Sequence, residues 1–447
     1  MDFNQALDNY KDEALNLLSE LLKFKTVLDK YDPKSPAPFG KELKKALDYL
    51  LSYAKNDGFS VENDSGYAGH IEYGEGDEIL GILCHIDVVP ATGSWYGDPF
   101  VPLVRNGRIY ARGSVDDKGP LVASYIALKM LKDLGVIPNK RIRLIVGCDE
   151  ETGSRCIKHY LNSFETPTIG FSPDAEYPLI YGEKGFNNFT IEGINDSYIK
   201  TWVSGVRHNI VPEETRVTLD KNLSGEFYEF LNKNGYRGEY SDGTYIVYGK
   251  SAHGSMPEKG INSNYIMADF INSVYETPFT MMLKELFTWD YDGTKLGINE
   301  IHKDMGGVSI NPGVINISKG KISVVVDCRV PDDSLLLKID DIISSKLKKY
   351  NYSYKPDKKI KVHYVDPKSK LVKALYDVYV AETNDNINKP MTIGGGTYAK
   401  LFDNCVAFGP VFPGADDVIH APNEYISIDD FYKNIIIYAK AIYELVK

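Results

Sequence analysis

The chain has 447 residues, of which 43% are hydrophobic and 25% charged, with a formal net charge of -11. That length exceeds what one core organises, so two domains are expected, and no apolar stretch approaches the ~18 residues of a spanning helix. An acidic surface repels polyanions, which argues against nucleic acid and membrane as partners.

The first residues, with Asp2, Asn4, Asp8 and Asp12 ahead of Leu15, lack the basic-then-apolar order of a signal peptide, so a cytoplasmic location is expected. Residues 11–25 and 40–55 then place Leu15, Leu18 and Leu22, and Leu43, Leu47, Leu50 and Leu51, at helical spacing, which predicts two amphipathic helices. Ile79–Cys84, Arg141–Gly147 and Thr168–Phe171 are short apolar runs bounded by Gly or polar residues, and a helix-like stretch, Pro120–Leu134, lies between the first two. This alternation predicts an α/β fold with a largely parallel sheet and helices on both faces. Ligands of such sheets sit beyond the carboxyl ends of the strands. There this chain has His85 and Asp87, then Glu150 and Glu151, then Asp174.

From Phe186 to about residue 365 the character changes to strands and helices separated by Gly, Asn and Asp turns, with a weak internal repetition. Asn209–Asp220, a helix at Gly225–Asn234 and a strand pair reaching Tyr248 are echoed by Ile310–Val330, a helix at Asp332–Tyr350 and a strand at Ile360–Tyr364. Residues 186–365 are therefore expected to be an inserted α+β domain of two similar halves, between residues 1–185 and 366–447 of the first domain. The chain closes with helices at Leu371–Glu382 and Ile428–Val446, separated by a loop-rich stretch that holds Gly394, Gly395, Gly396 and His420. The five cysteines, Cys84, Cys148, Cys156, Cys328 and Cys405, form no Cys-x-x-Cys pair and read as small buried apolar residues.

His85-x-Asp87, Asp116-Asp117-Lys118-Gly119, Asp149-Glu150-Glu151, Asp174 and His420 together form a set of hard carboxylates and imidazoles suited to zinc, manganese or cobalt in a hydrolytic centre. A pair of ions needs one shared carboxylate, with one His and one further carboxylate for each ion. His85 and Asp87, two apart at a strand end, can share one face, so that Asp87 accepts the ring proton of His85. Adjacent Glu150 and Glu151 cannot point the same way on regular backbone, which leaves one to face a metal and the other to serve as a base. Singly, each piece also fits a bland role: a satisfied histidine, a solvated charge run, a turn. Jointly, a row of acids beside buried strands is costly unless a cation neutralises it.

ILCHIDVV at Ile82–Val89, GSVDDKG at Gly113–Gly119, DEET at Asp149–Thr152, FSPDAE at Phe171–Glu176, GEKG at Gly182–Gly185 and FGPVFPGADDVIHAPNE at Phe408–Glu424 resemble, in order and spacing, the co-catalytic zinc peptidase family. That family includes carnosinases, aminoacylases, carboxypeptidase G and succinyl-diaminopimelate desuccinylase, and the resemblance is strongest to bacterial dipeptidases of the PepV type. It implies a catalytic domain with an inserted lid, and a dipeptidase holding two divalent ions, zinc first and manganese as the alternative. His85, Asp116 and Asp174 would hold one ion, and Asp116, Glu151 and His420 the other, with a cis bond after Asp116. Glu150 would be the general base acting on a metal-bridging water, with Asp87 beside His85. His253, in Ser251-Ala252-His253-Gly254, would stabilise the oxyanion, while Asn209, Arg329 and the backbone of Gly394–Gly396, Gly395 at their centre, would bind the terminal carboxylate of the substrate. The backbone of those glycines precedes a helix-like stretch, Thr397–Phe402, whose N-terminus suits an anion. Dimeric relatives borrow the lid histidine from a partner, so a lid of two halves implies a monomer with His253 acting in cis. Two rival readings are a deacylase or desuccinylase of the same family, and a non-catalytic binding protein on a peptidase fold.

Overall fold

The structure, a computed structural model, describes residues 2–447. The chain divides into two compact units: Met1–Gly182 with Tyr364–Met391 and Gly396–Lys447, and Glu183–His363 with Thr392–Gly395.

The first unit is built on a sheet whose strands run in the spatial order Ser60–Asp64, Ala68–Tyr73, Arg141–Gly147, Ile79–His85, Ile169–Ser172 and Cys405–Ala407. The last four pair in parallel, and the first two pair antiparallel at the edge. Ile79–His85 is buried along its whole length, which is why it reads as a continuous apolar run rather than an alternating one. Helices cover both faces, as expected for the α/β class. Successive strand residues point to opposite faces. At Gly69 a Cβ would press on Leu47 and Leu51 of helix Lys41–Asn56, whereas the next residue, His70, meets Tyr160 of helix Arg155–Ser163.

Helix Lys41–Asn56 buries Leu43, Ala46, Leu47, Leu50, Leu51 and Ala54, a stripe at helical spacing that stabilises by roughly 1.5–3 kcal/mol per large side chain. Helix Lys118–Asp133 is buried on nearly every side and packs against the closing helix Ile428–Val446, whose N-cap Ser427 accepts from the N–H of Asp430. A short helix at Phe3–Leu7, capped by Asp2, precedes the two expected ones; five residues carry too little periodicity to be read from sequence. All five cysteines are free and buried.

The second unit holds a nine-stranded sheet with helices Ser224–Asn234, Ser263–Val274, Pro278–Leu286 and Asp333–Lys348 gathered on one continuous apolar core. Its two portions join edge to edge where Trp202, Val203 and Ser204 pair with Ile317, Asn316 and Ile315. The second portion ends differently from the expected repeat. Its closing strand is Ser353–Pro356, paired with Phe189–Glu192; of the expected strand Ile360–Tyr364, Ile360 makes an isolated bridge to Phe186 and only His363–Tyr364 is a strand. The true strand lies at the sheet edge, where a polar, proline-bearing sequence is tolerated and leaves no apolar signature.

Candidate metal and catalytic centre

His85 is the last residue of its strand, and its main-chain N–H donates to Asp117 Oδ2 at 2.9 Å. On the imidazole, Nδ1 faces the main-chain carbonyl of Asp87 at 2.9 Å, which leaves Nε2 2.9 Å from Asp116 Oδ1 and 3.7 Å from Asp174 Oδ2. The partner of the ring is thus the carbonyl of Asp87 rather than the expected carboxylate, whose nearer oxygen is 3.5 Å away and too far for a good bond. The Asp87 carboxylate instead accepts the N–H of Glu150 at 3.0 Å on one oxygen and the N–H of Glu151 at 3.1 Å on the other. Asp87 therefore ties the end of one parallel strand to the turn that follows its neighbour.

The other oxygen of Asp116 lies 3.0 Å from His420 Nε2, which is also 3.1 Å from Glu151. Two groups of ligand atoms result, His85 with Asp116 and Asp174, and Asp116 with Glu151 and His420, each gathered within 4.8 Å and each able to hold a metal ion. They share Asp116, one oxygen directed to each imidazole. The bond between Asp116 and Asp117 is cis. Glu150 belongs to neither group, so the adjacent glutamates separate into one candidate ligand and one free to act as a base.

The electrostatics fit a cationic occupant. Burial, then Asp174, holds Glu150 protonated well above the usual carboxylate range, and burial, then Asp116, lifts Glu151 to about 7. Asp174 rises to about 6 by burial despite His85. Burial alone would lower His420, but Asp116 and Glu151 outweigh it and carry the imidazole up to about 10. Asp116 moves the other way: burial opposes its ionisation, yet the two imidazoles keep it below the ordinary range. Protons balance this crowd of acids, and divalent cations would replace them on an oxygen and nitrogen donor set suited to them.

The turn bearing the glutamates is locked by Asp149, fully buried, whose carboxylate accepts from the N–H of Arg155 at 3.0 Å, from its guanidinium Nε at 2.7 Å and from the Thr152 hydroxyl. Arg155 in turn lies over the Tyr31 ring, 4.3 Å from its centroid. Behind His85, the Tyr398 ring stands edge-on at 6.2 Å, and Gly147 at the end of the adjacent strand makes room for it: a Cβ there would lie 2.2 Å from the Tyr398 hydroxyl. Sequence reasoning does not single out Arg155 or Tyr398, and it names Asp117 only as the neighbour of Asp116, not as the acceptor of the His85 N–H. Only the DEET motif, three residues before Arg155, hints at one of them.

In the second unit, the expected lid residues fall in two bonded groups, one with Asn209 and His253 and one with Arg329 and Gly394. The N–H of Gly254 donates to Asn209 O at 2.8 Å, Ile210 and His253 form a β-bridge, and His253 Nδ1 meets the Ser255 hydroxyl at 2.6 Å. Arg329 is buried, its guanidinium held by both oxygens of Asp327 at 2.8 and 3.1 Å, and its Nη1 donates to the carbonyl of Gly394 at 2.8 Å. Gly394 thus presents a carbonyl to Arg329. Gly395 is half-buried beside it. The expected helix after these glycines is a single 3-10 turn, Tyr398–Leu401, too short to supply a helix dipole.

The sequence model of Peptidase family M20/M25/M40 matches residues 81–444. A protein of Staphylococcus aureus strain bovine RF122 / ET3-1, named "Putative dipeptidase", is 37% identical over 467 residues, spanning 99% of each chain. Among solved structures, the di-peptidase Dug1p of Saccharomyces cerevisiae aligns with a TM-score of 0.59 at 15% identity, over 98% of this chain and 97% of its own. The Bacillus subtilis YXEP protein, a dinuclear metal binding peptidase, aligns with a TM-score of 0.53 at 8% identity, over 98% and 99%. At those identities the structures speak for the fold.

Proposed function

The chain belongs to peptidase family M20/M25/M40 and is a peptide-bond hydrolase; on that premise we propose that it is a dipeptidase acting on unblocked dipeptides with two divalent ions. The observation that carries this reading is Asp116, whose two oxygens face His85 and His420 inside two overlapping ligand groups. His85, Asp116 and Asp174 would hold one ion, and Asp116, Glu151 and His420 the other, zinc in the first instance and manganese with the same donors. Bound there, such ions would supply Lewis acidity, enough to polarise a scissile carbonyl and to lower the pKa of water toward neutrality.

Glu150 takes one proton from the attacking water and passes it to the amine nitrogen as the C–N bond breaks. Its carboxylate is free for that proton, because Glu150 belongs to neither ligand group. Asp87 positions it through the backbone of the glutamate turn. We assign the first unit as the catalytic domain and the second as the lid. Within the lid, His253 is assigned to the oxyanion, and Asn209, Arg329 and Gly395 to the terminal carboxylate, for which a planar guanidinium is suited. Support for these roles is that the Asn209 and His253 segments are bonded to each other, and that Arg329 is buried and bonded to the carbonyl of Gly394. A lid of two portions joined in one sheet also supports a monomer, expected at 50.1 kDa in light scattering. The acidic surface and the lack, among the described residues, of a helix long and apolar enough to cross a membrane fit a cytoplasmic enzyme.

The test is metal analysis of the purified protein with a panel of dipeptides and N-acetyl amino acids, beside Glu150→Ala. Two ions per chain, cleavage of dipeptides, and a variant that keeps its ions while losing about 10²–10⁴ in kcat are expected. Turnover of N-acetyl amino acids in place of dipeptides would move the chain to the deacylase branch, and full activity of Glu150→Ala would remove Glu150 as the base.

A further inference from the structure

Outside the proposed ligands lies a buried ion pair with no part in the chemistry described so far. Arg112 and Glu424, 1% and 0% exposed, meet at 2.6 Å. They stand 312 residues apart in sequence. Each also does something further. Glu424 Oε1 accepts three backbone N–H groups, from Gly113 at 3.0 Å, Val115 at 3.0 Å and Asp116 at 3.2 Å, so it holds the loop that presents Asp116. Arg112 Nη2 donates to the main-chain carbonyl of His420 at 3.1 Å.

His420 needs that hold. Its φ is +61°, in the left-handed region a residue with a Cβ seldom occupies. Asn423, close by in the same segment, has φ +60°. Its amide is pinned on the other side, accepting from the N–H of Tyr96 at 2.7 Å and donating to Ser94 O at 3.3 Å. Two left-handed residues in four positions are kept in place by what surrounds them. The Arg112 side chain is itself fixed, its guanidinium lying over the Trp95 ring at 5.2 Å.

We propose that Arg112 and Glu424 are positioning residues: a buried strut that sets the separation between the Asp116 carboxylate and the His420 imidazole, and so the geometry of one of the two metal positions. The inference rests on the two-ion reading above. A pair serving only the stability of the fold would need neither the bond to the His420 carbonyl nor the triple contact with the Asp116 loop. The asymmetry is specific. His420 belongs only to the group with Asp116 and Glu151, while His85 ends its own strand, its ring held by the carbonyl of Asp87 and its main-chain N–H by Asp117, with no bond to Arg112 or Glu424. Loss of the strut therefore weakens one ion position more than the other.

The experiment uses the full-length enzyme and Arg112→Lys, which keeps a charge against Glu424 but cannot span Glu424 and the His420 carbonyl together. Glu424→Gln, which keeps an oxygen for the three N–H groups, is the second variant. Arg143→Lys, which makes the same change in a second guanidinium–carboxylate pair, with the half-buried Glu72 elsewhere in the sheet, serves as the structural control. Zinc affinity is measured by titration calorimetry of the metal-free proteins, and the Co²⁺-substituted forms are compared by visible absorption. For Arg112→Lys, one of the two binding steps is expected to weaken ten- to a hundredfold with the other unchanged, and the Co²⁺ bands to shift. Arg143→Lys is expected to lower the melting temperature and leave both steps and the spectrum as they were. Two wild-type affinities with an unaltered spectrum in a folded Arg112→Lys would overturn the proposal. So would equal weakening of both steps in proportion to lost melting temperature. If Arg112→Lys does not fold, Glu424→Gln decides: because Asp116 belongs to both groups, weakening of both steps beyond what the change in melting temperature accounts for supports the strut, and two wild-type affinities with an unaltered spectrum overturn it. Should the unmodified protein bind fewer than two ions, the two-ion reading fails, a result distinct from failure of the strut.

Discussion

Replacing Asp87 by Asn separates a positioning carboxylate from a mere neighbour of the metal centre. The native side chain accepts the N–H of Glu150 on one oxygen at 3.0 Å and the N–H of Glu151 on the other at 3.1 Å, in a place 1% exposed. Asparagine has one oxygen and an NH₂ group, so one bond survives with a weaker acceptor, and the other becomes a donor facing a donor. Losing a charge-assisted bond in a buried site costs about 1.5–3 kcal/mol, and stranding an N–H adds about 1–3 kcal/mol. If the glutamate turn shifts to relieve that clash, Glu150 and Glu151 move with it, and about 3–5 kcal/mol taken from the organised site corresponds to roughly 10²–10⁴ in kcat/KM. The expected signature is a fall in kcat for a dipeptide together with weaker binding of one ion, because Glu151 is a candidate ligand and Glu150 is not. His85 keeps its orientation, since its ring bonds to the carbonyl of residue 87, which the substitution leaves in place. Steady-state kinetics and zinc titration on the folded variant decide it. Wild-type turnover with two intact ions would refute the positioning role, and selective loss of the ion on His85 would mean that the carboxylate holds the imidazole after all.

Acid sensitivity has a source at His70, away from the centre. Burial first, then Arg143 and Arg141, lowers His70 to about 3, and its Nδ1 is 2.8 Å from the Tyr160 hydroxyl. A folded pKa below the unfolded ~6.5 means that the unfolded chain takes the proton first. The contribution is therefore whole above about pH 6.5 and is lost as pH falls toward 3, by ~2 kcal/mol at pH 5. Urea unfolding of wild type and His70→Gln at pH 8 and pH 5 should show their difference in stability narrowing by that amount at the lower pH; an unchanged gap would contradict it. At Gly147, alanine would set a Cβ 2.2 Å from the Tyr398 hydroxyl, so Gly147→Ala should cost about 1–3 kcal/mol in thermal unfolding, and a variant as stable as wild type would deny the close approach. Arg329→Lys cannot reproduce three bonds, to Asp327 twice and to Gly394 O, and should raise the KM of a free dipeptide at least tenfold while leaving a C-terminally amidated one unaffected. An equal loss on both substrates would place Arg329 in the fold rather than in recognition of the carboxylate.

What the sequence disclosed and what it withheld divide along a physical line. A buried parallel strand is one apolar run, and its end is marked by the first polar residue, so His85 after Ile79–Cys84 and the glutamates after Arg141–Gly147 were legible as lying together at one sheet edge. The long helices were legible for the same reason, since a helix such as Lys41–Asn56 repeats its apolar contacts over several turns. The strand Ser353–Pro356 was not: an edge strand is free to carry Ser, Lys and Pro. Nor was the hydrogen-bond partner of His85. Spacing allowed either oxygen type of Asp87, and the choice falls to the turn at Asp149–Arg155, which brings two N–H groups to the carboxylate and leaves the carbonyl for the ring.

The same line explains why the support of a catalytic centre is harder to read than the centre. Ligands must offer a small set of donor atoms, so a His or Asp at a strand end is conspicuous whatever surrounds it. A supporting group need only be polar and correctly placed. Arg112 and Glu424 could each be an ordinary charged residue until the fold brings them within 2.6 Å, with Asp116 held from one end and His420 from the other. Their partners lie on segments hundreds of residues away, and no local pattern records that. Burial does record it once the fold is known: a charged side chain without solvent is costly unless its neighbours satisfy it, so each one found there points to a geometry that the rest of the chain is built to hold.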